Sequence, residues 1–328
     1  MSKTMEHGHA VSKIVLCNAV EADRQALRLL HGGASNTLLS RTYDEPSARS
    51  FLSSVDTIFS DIDGTLTDEG APMSAECIAA LLALAKAGKT VTLVTGRSYD
   101  EVAGLMSSLP RALSLHVIYE KGGYEFVRDA DGDRTKHLLA TQEIEGSAAA
   151  VRRVFWQQKA TLERRYANVT FGWAGTGQHQ SLVSIDAFQG AVPPGYAAMV
   201  GSERSALKVK DTQLLARIAY DLAQFLKEYQ PAWQVTHLLN GNFELGPKDI
   251  AKDEAIRQTE RWRRARAVLL LGDGPNDRSM FALRAQGKAA AGLVLHREAA
   301  LALVSDVDFV SFGRANPYPF FTLLSRVE

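Results

Sequence analysis

Three short apolar runs, residues 55–60, 90–94 and 267–271, each stop at a turn marked by glycine and polar residues. The turns read Asp61-Ile62-Asp63-Gly64-Thr65, Thr95-Gly96-Arg97 and Gly272-Asp273-Gly274. Brief runs of β-forming residues bounded in this way read as buried strands. Between the first two, apolar residues recur at helical spacing over 73–87 as far as Gly88, and a second helical stretch over 99–107 precedes a further strand at 116–119. Strand, helix, strand, helix, strand in that order predicts an α/β fold built on a Rossmann-like, doubly wound parallel sheet. Such sheets place their chemistry at the carboxyl ends of the strands, where all three glycine turns stand.

The pattern changes after about residue 129. Asp129 to Arg134 reads as a polar turn, 143–165 as a long helix, and Val169–Trp173 and 181–187 as paired strands. A second helix over 211–229 leads to strands at 233–239 and 242–245 around Asn240 and Gly241, so this middle portion predicts an inserted α+β cap domain. The α/β grammar then returns with a helix over 250–264, and short strand and helix signals over 287–312, among them 292–295 and the helical 298–304, predict two more strands in the sheet. The expected organisation is an extension without a readable role over 1–54, core over 55–130, cap over 131–243 and core again over 244–328. Within the extension, Ile14–Leu16 has strand character and 23–30 helical character.

The length of 328 residues suggests about two domains, and 46% hydrophobic with 23% charged residues can bury a substantial core. Lys plus Arg and Asp plus Glu both number 37, so no global field would hold the chain on nucleic acid or an anionic membrane, and neither partner is expected. Two cysteines, Cys17 and Cys77, give no disulfide framework, and the polar opening segment lacks the apolar core of a secretory signal. No apolar run approaches the roughly 20 residues of a membrane span. These features predict a cytoplasmic protein.

Asp61 and Asp63 stand two residues apart just beyond a strand, so both can face one crevice. Ionised, Asp61 can attack phosphorus and divide a hard hydrolysis into two steps through an aspartyl phosphate, while Asp63 can protonate the leaving oxygen and later activate water. Asp273 offers a second hard oxygen ligand at another strand end, with Asn276 and Asp277 as outer partners. Four carboxylates at two strand ends repel one another unless a cation occupies the site, and Mg²⁺ suits few carboxylates, several waters and a phosphate oxygen. Thr95 supplies a hydroxyl and Gly96 an open backbone N–H for phosphate.

Taken together, these elements resemble the haloacid dehalogenase superfamily of phosphohydrolases over residues 55 to 312. The motifs stand here as Asp61-Ile-Asp63-Gly-Thr, Thr95-Gly-Arg, a lysine before a helix, and Gly272-Asp273-Gly-Pro-Asn-Asp277. The last is similar to the branch with a large C2-type cap, which includes Cof-like sugar phosphatases, trehalose and sucrose phosphate phosphatases and phosphomannomutase. The resemblance implies Asp61 as nucleophile and Asp63 as acid/base. It also implies Mg²⁺ on Asp61, the backbone carbonyl of Asp63 and Asp273, and phosphate on Thr95 and a lysine. Lys248 and Lys252 lie one helical turn apart. Asp249 as N-cap would set Lys252 near the third helical position, where a lone cation opposes the macrodipole and a bound phosphate would relieve it. The family spacing also selects Lys252. Lys121-Gly-Gly departs from the usual Asn-Gly turn.

The expected activity is Mg²⁺-dependent hydrolysis of a small phosphorylated metabolite, a sugar phosphate. A phosphosugar mutase and a non-catalytic binding protein on the same fold are the alternatives. Asp129, Asp131 and Asp133 imitate the start of a calcium loop, but Arg134 and Ala140 occupy the positions that need glycine and glutamate. Arg152, Arg153 and the cluster Arg261 to Arg264 read as solvated helix faces. The histidines, His7 and His9 included, have no metal-ligand spacing, and none is given a role.

Overall fold

The structure is a computed structural model. It describes residues 14–16, 24, 26–28, 38–40 and, apart from 112, 175–178, 193, 197–198, 200, 238–240 and 314, residues 43–325. His7, His9, Cys17, Asn240 and most of the helix expected over 23–30 lie outside these.

The chain begins with strands β1 (Ile14–Leu16) and β2 (Leu38–Ser40) and helix α1 (Glu45–Ser54). It continues through β3 (Thr57–Ser60), α2 (Ala75–Lys86), β4 (Thr90–Val94), α3 (Tyr99–Ser108), β5 (Leu115–Tyr119) and the hairpin β6 (Tyr124–Asp129) and β7 (Gly132–His137). An inserted module follows, with α4 (Gln142–Glu163), β8 (Val169–Trp173), β9 (Val183–Gln189), α5 (Gly201–Leu207), α6 (Thr212–Tyr229), β10 (Trp233–His237) and β11 (Asn242–Pro247). The chain then returns through α7 (Lys252–Gln258), α8 (Glu260–Arg264), β12 (Val268–Gly272), α9 (Arg278–Ala282), β13 (Ala289–Leu295), β14 (Phe309–Phe312) and α10 (Tyr318–Leu324).

Ten strands form one sheet in the order β1-β2-β14-β13-β12-β3-β4-β5-β6-β7, and four form a second in the order β10-β11-β9-β8. From β14 to β5 every pairing is parallel. Both faces of this sheet are covered, so successive residues alternate between two apolar layers rather than between core and water. Ile58, Leu269 and Leu271 face the layer with Leu81, Leu84 and Phe320, whereas Phe59, Val268 and Leu270 face the layer with Ile256, Trp262 and Phe281. The α/β class with a Rossmann-like core is thus present, and β3 and β12 lie side by side at its centre.

Several expectations shift. β7 pairs with β6 in the large sheet and β11 belongs to the small one, so the insert starts after 137 rather than at 131 and ends near 247 rather than 243. The apparent polar turn at 129–134 contains a strand, because β7 is an exposed, charged edge that carries no apolar alternation. The N-terminal stretch joins the core: β2 pairs antiparallel to β14, and Tyr43 stacks on both Phe51 and Phe309. The helix expected over 250–264 is broken at Thr259, which caps α8 through its side chain. Among the described residues no helix is long and apolar enough to cross a membrane.

Candidate functional site

Adjacent parallel strands in the same register bring Asp61 and Asp273 together. Leu271 pairs with Ser60, and Asp61 N donates to Leu271 O at 2.8 Å. Close approach then depends on two glycines. A Cβ on Gly64, whose φ is +84°, would lie 2.2 Å from Asp273 Oδ2, and one on Gly272 would lie 2.4 Å from Asp277 Cγ. A side chain at Gly64 would separate the two loops, and one at Gly272 would displace Asp277 within its own loop. Oxygens of Asp61, Asp273 and Asp277 fall within 4.8 Å of one another, and all three residues are buried.

Lys252 answers this concentration of charge. Its Nζ donates to Asp61 Oδ1 and Asp277 Oδ1, each at 2.7 Å, from a side chain 1% exposed. Burial opposes its charge, but Asp277 and Asp61 overcome that and raise its pKa, so the ammonium is retained. Asp61 is pushed well above the usual carboxylate range by burial, opposed by Lys252 and reinforced by Asp277 and Asp273. Asp273 is pushed up to about 8 by burial and by Asp277. Three carboxylates this close together form a group that could hold a metal ion. Asp277 is committed elsewhere: Oδ1 takes Lys252, and Oδ2 accepts the N–H groups of Asp273 and Gly274 at 3.0 and 3.1 Å. It organises the loop, leaving Asp61 and Asp273 as the carboxylates able to hold a metal.

The route by which Lys252 arrives differs from the sequence expectation. Ala251 is the extended residue before α7, so Lys252 is the first helical residue rather than the third, and Asp249 is not the cap. Lys248 points away, donating to Pro231 O at 3.3 Å.

Asp63 is held by Arg97 through two bonds, Nε to Oδ2 at 2.8 Å and Nη2 to Oδ1 at 2.7 Å, and by Gly70 N at 2.8 Å. Burial works against its charge, yet the guanidinium and the amide hold its carboxyl below the usual range. Sequence reading noted Arg97 but gave it no part; its position two residues after Thr95 in one loop was the available signal. Thr95 is buried, and its Oγ1 accepts Arg97 N at 3.2 Å. Gly96 and Asn276 line the same cavity of ≈ 500 Å³, together with Asp61, Asp63, Thr95 and Asp273.

Two histidines given no role stand at the site. His296 Nε2 lies 2.9 Å from Asp273 Oδ2, and His179 Nε2 lies 3.0 Å from Gly96 O. Neither contact was legible, because each joins residues far apart in the chain. Arg152 donates to the His179 carbonyl and Arg261 to Val91 O at 2.8 Å, so neither is the solvated side chain expected.

Residues 58–155 match the model of a haloacid dehalogenase-like hydrolase family. No curated protein matches the sequence. Among solved structures, the chain is similar to the C-terminal domain of C. albicans trehalose-6-phosphate phosphatase, with a TM-score of 0.56 and 14% identity over 87% of this chain and 97% of that one. It is also similar to Aspergillus fumigatus trehalose-6-phosphate phosphatase, with a TM-score of 0.52 and 16% identity over 86% and 97%. A trehalose-6-phosphate phosphatase related protein gives a TM-score of 0.50 and 16% identity over 81% and 95%. At these identities the likeness is one of fold. The family model of haloacid dehalogenase-like hydrolases thus matches the first part of the core, and the likeness in fold to these structures extends over most of the chain.

Proposed function

We propose that this protein is a Mg²⁺-dependent phosphatase that hydrolyses the monoester of a small phosphorylated metabolite, a sugar phosphate, through an aspartyl phosphate on Asp61. The observation that carries the reading is the buried Asp61–Lys252–Asp277 relay beside Asp273, a nucleophile and its cation at paired strand ends. Asp61 attacks phosphorus and the ester P–O bond breaks. Lys252 steadies the charge on the transferring group, and Thr95 Oγ1 and the Gly96 N–H orient its oxygens. Asp63 gives a proton to the departing oxygen and takes one from the water that later cleaves the acyl phosphate. In its pairing with Arg97 it rests as a carboxylate, the form that takes a proton from water in the second step, and it must take up a proton from solvent before it can give one to the departing oxygen. Mg²⁺ held by Asp61, Asp273 and the Asp63 carbonyl would neutralise phosphoryl charge, with Asp277 and Asn276 ordering the loop.

The inserted module acts as a cap, since the cavity is walled by residues of both units and the facing strand ends supply the reactive groups. The trehalose-6-phosphate phosphatases that share the fold support a phosphorylated sugar as substrate. Cytoplasmic residence fits a free buried thiol at Cys77 and an intracellular metabolite.

The test is phosphate release from a panel of phosphorylated metabolites, with and without EDTA, for the natural protein and Asp61→Asn. Release should stop in EDTA and fall by several orders of magnitude in the variant. Asp61→Asn retaining more than about a tenth of the rate would remove the nucleophile assignment.

A further inference from the structure

The turn after β5 reads Glu120-Lys121-Gly122-Gly123, the departure from the usual Asn-Gly turn. Glu120 and Lys121 are consecutive non-glycine residues in the left-handed region, with φ of 48° and 58°, a conformation that persists only where the surroundings fix it. On the core side, Glu120 N donates to Arg97 O at 3.1 Å and Lys121 N to Thr95 O at 2.9 Å, which fastens the turn to the Thr95-Gly96-Arg97 loop. Towards the inserted module, the fully buried Glu120 carboxylate accepts Gln180 N at 2.9 Å on both oxygens, and Ser181 N and Ser181 Oγ on Oε2 at 2.7 Å. Gly123 permits that approach, because a Cβ there would lie 2.5 Å from Ser181 Oγ. His179 completes the circuit: its Nε2 donates to Gly96 O at 3.0 Å, since a carbonyl can only accept. All three carbonyls of the phosphate-binding loop are thus held from one side, two by the turn and one by the inserted module.

We infer that Glu120 is a positioning residue that couples the seating of the inserted module to the geometry of the Thr95-Gly96-Arg97 loop, its carboxylate holding the module and its backbone the loop. The inference goes beyond the proposed reaction, and rests on it only in taking the loop to bind phosphate. A carboxylate withdrawn from water needs its donors, and the donors to Glu120 come from Gln180 and Ser181, so its bonds are kept only while the module sits on the core. Those bonds in turn fix the left-handed pair from which Lys121 N reaches Thr95 O. Thr95 O and the Gly96 N–H belong to one planar trans peptide and point opposite ways, so holding the carbonyl aims the N–H that is proposed to meet phosphate. Loss of the carboxylate releases the strained pair, and with it the orientation of that N–H.

The experiment compares the full chain with Glu120→Gln, which keeps the size and removes the charge, and with the milder Ser181→Ala. Inorganic phosphate and Mg²⁺ are titrated by calorimetry, and amide hydrogen exchange is followed at Lys121, Gln180 and Ser181. In Glu120→Gln, exchange at all three amides should quicken about tenfold or more, and phosphate in saturating Mg²⁺ should bind about tenfold or more weakly. Mg²⁺ affinity, set by Asp61 and Asp273, should change less than about threefold, and Ser181→Ala should shift phosphate affinity and exchange in the same directions by about threefold. Adding Ser181→Ala to Glu120→Gln should cost less than the sum of the two, because both break one contact. A residue that serves stability alone would lower the Tm and leave the phosphate affinity of the folded protein as it was, and that result overturns the inference. If the natural protein neither binds phosphate nor hydrolyses any ester, the phosphatase reading falls, while exchange still decides the coupling: quickening at Lys121 together with Gln180 and Ser181 supports it, and quickening at Gln180 and Ser181 alone refutes it. Should Glu120→Gln fail to fold, Ser181→Ala carries the same test, and unchanged phosphate affinity in it refutes the coupling.

Discussion

Replacing Lys252 by methionine (Lys252→Met) keeps most of the volume of the stem and removes the cation that bridges Asp61 and Asp277. Both of its ion pairs are 2.7 Å long, and all three side chains are 5% exposed or less. Removing one partner from a buried ion pair costs about 3–5 kcal/mol, because the remaining charge is left without solvent or counter-charge. Here two carboxylates are stranded beside a third, Asp273, so the upper part of that range is expected in EDTA and a smaller loss in Mg²⁺, which substitutes part of the missing charge. Transition-state stabilisation falls with the same change: kcat/KM should drop at least about 100-fold, equivalent to about 2.7 kcal/mol. Lys248→Ala, which loses an ammonium that donates to Pro231 O, should cost less than about tenfold. Urea unfolding with and without Mg²⁺, together with steady-state kinetics, measures both quantities. A Lys252→Met enzyme within about tenfold of normal kcat/KM, or a larger loss in Lys248→Ala, would refute the reasoning.

The native carboxyl of Asp273 titrates near 8 and that of Asp61 is also raised, whereas unfolded Asp titrates near 4. Folded-state pKa values raised in this way give stability that is complete below about pH 4 and lost as pH rises through about 8. In EDTA the Tm should therefore fall between pH 6 and 8.5, and saturating Mg²⁺ should narrow the difference; a metal-free Tm that rises over that window contradicts the site's electrostatics. Asp63→Asn should lower turnover about 10²–10⁴-fold and hurt esters with poor leaving groups most, so equal losses on p-nitrophenyl phosphate and a sugar phosphate argue against its acid/base part. In Gly64→Ala the added Cβ meets Asp273 Oδ2 at a φ of +84°, and a loss of more than about 1 kcal/mol with weakened Mg²⁺ binding is expected; near-normal metal affinity by calorimetry would show that the two loops need not approach so closely.

The parallel core and the acidic turns at its strand ends were legible because their causes are local. Strand runs stop at glycine turns, and the aspartates of a D-x-D-G-T turn face one crevice wherever it is placed. Lys252 was also within reach, since a cation at a helix start breaks a local rule and calls for an anion. Local rules did not set its helical position: Ala251 rather than Asp249 precedes the helix, because Lys252 must reach down to Asp61 and Asp277. β7 was unreadable because an exposed edge strand needs no apolar period, only a neighbour to pair with. The ion pair of Arg97 with Asp63, the contact of His296 with Asp273 and that of Asn242 with Asp186 join residues separated by 34, 23 and 56 positions in the chain. Sequence by itself determined which strand ends would carry the acidic turns; only the tertiary structure decided which side chains meet them, because those contacts follow from sheet order and the placement of the inserted module rather than from any pattern along the chain.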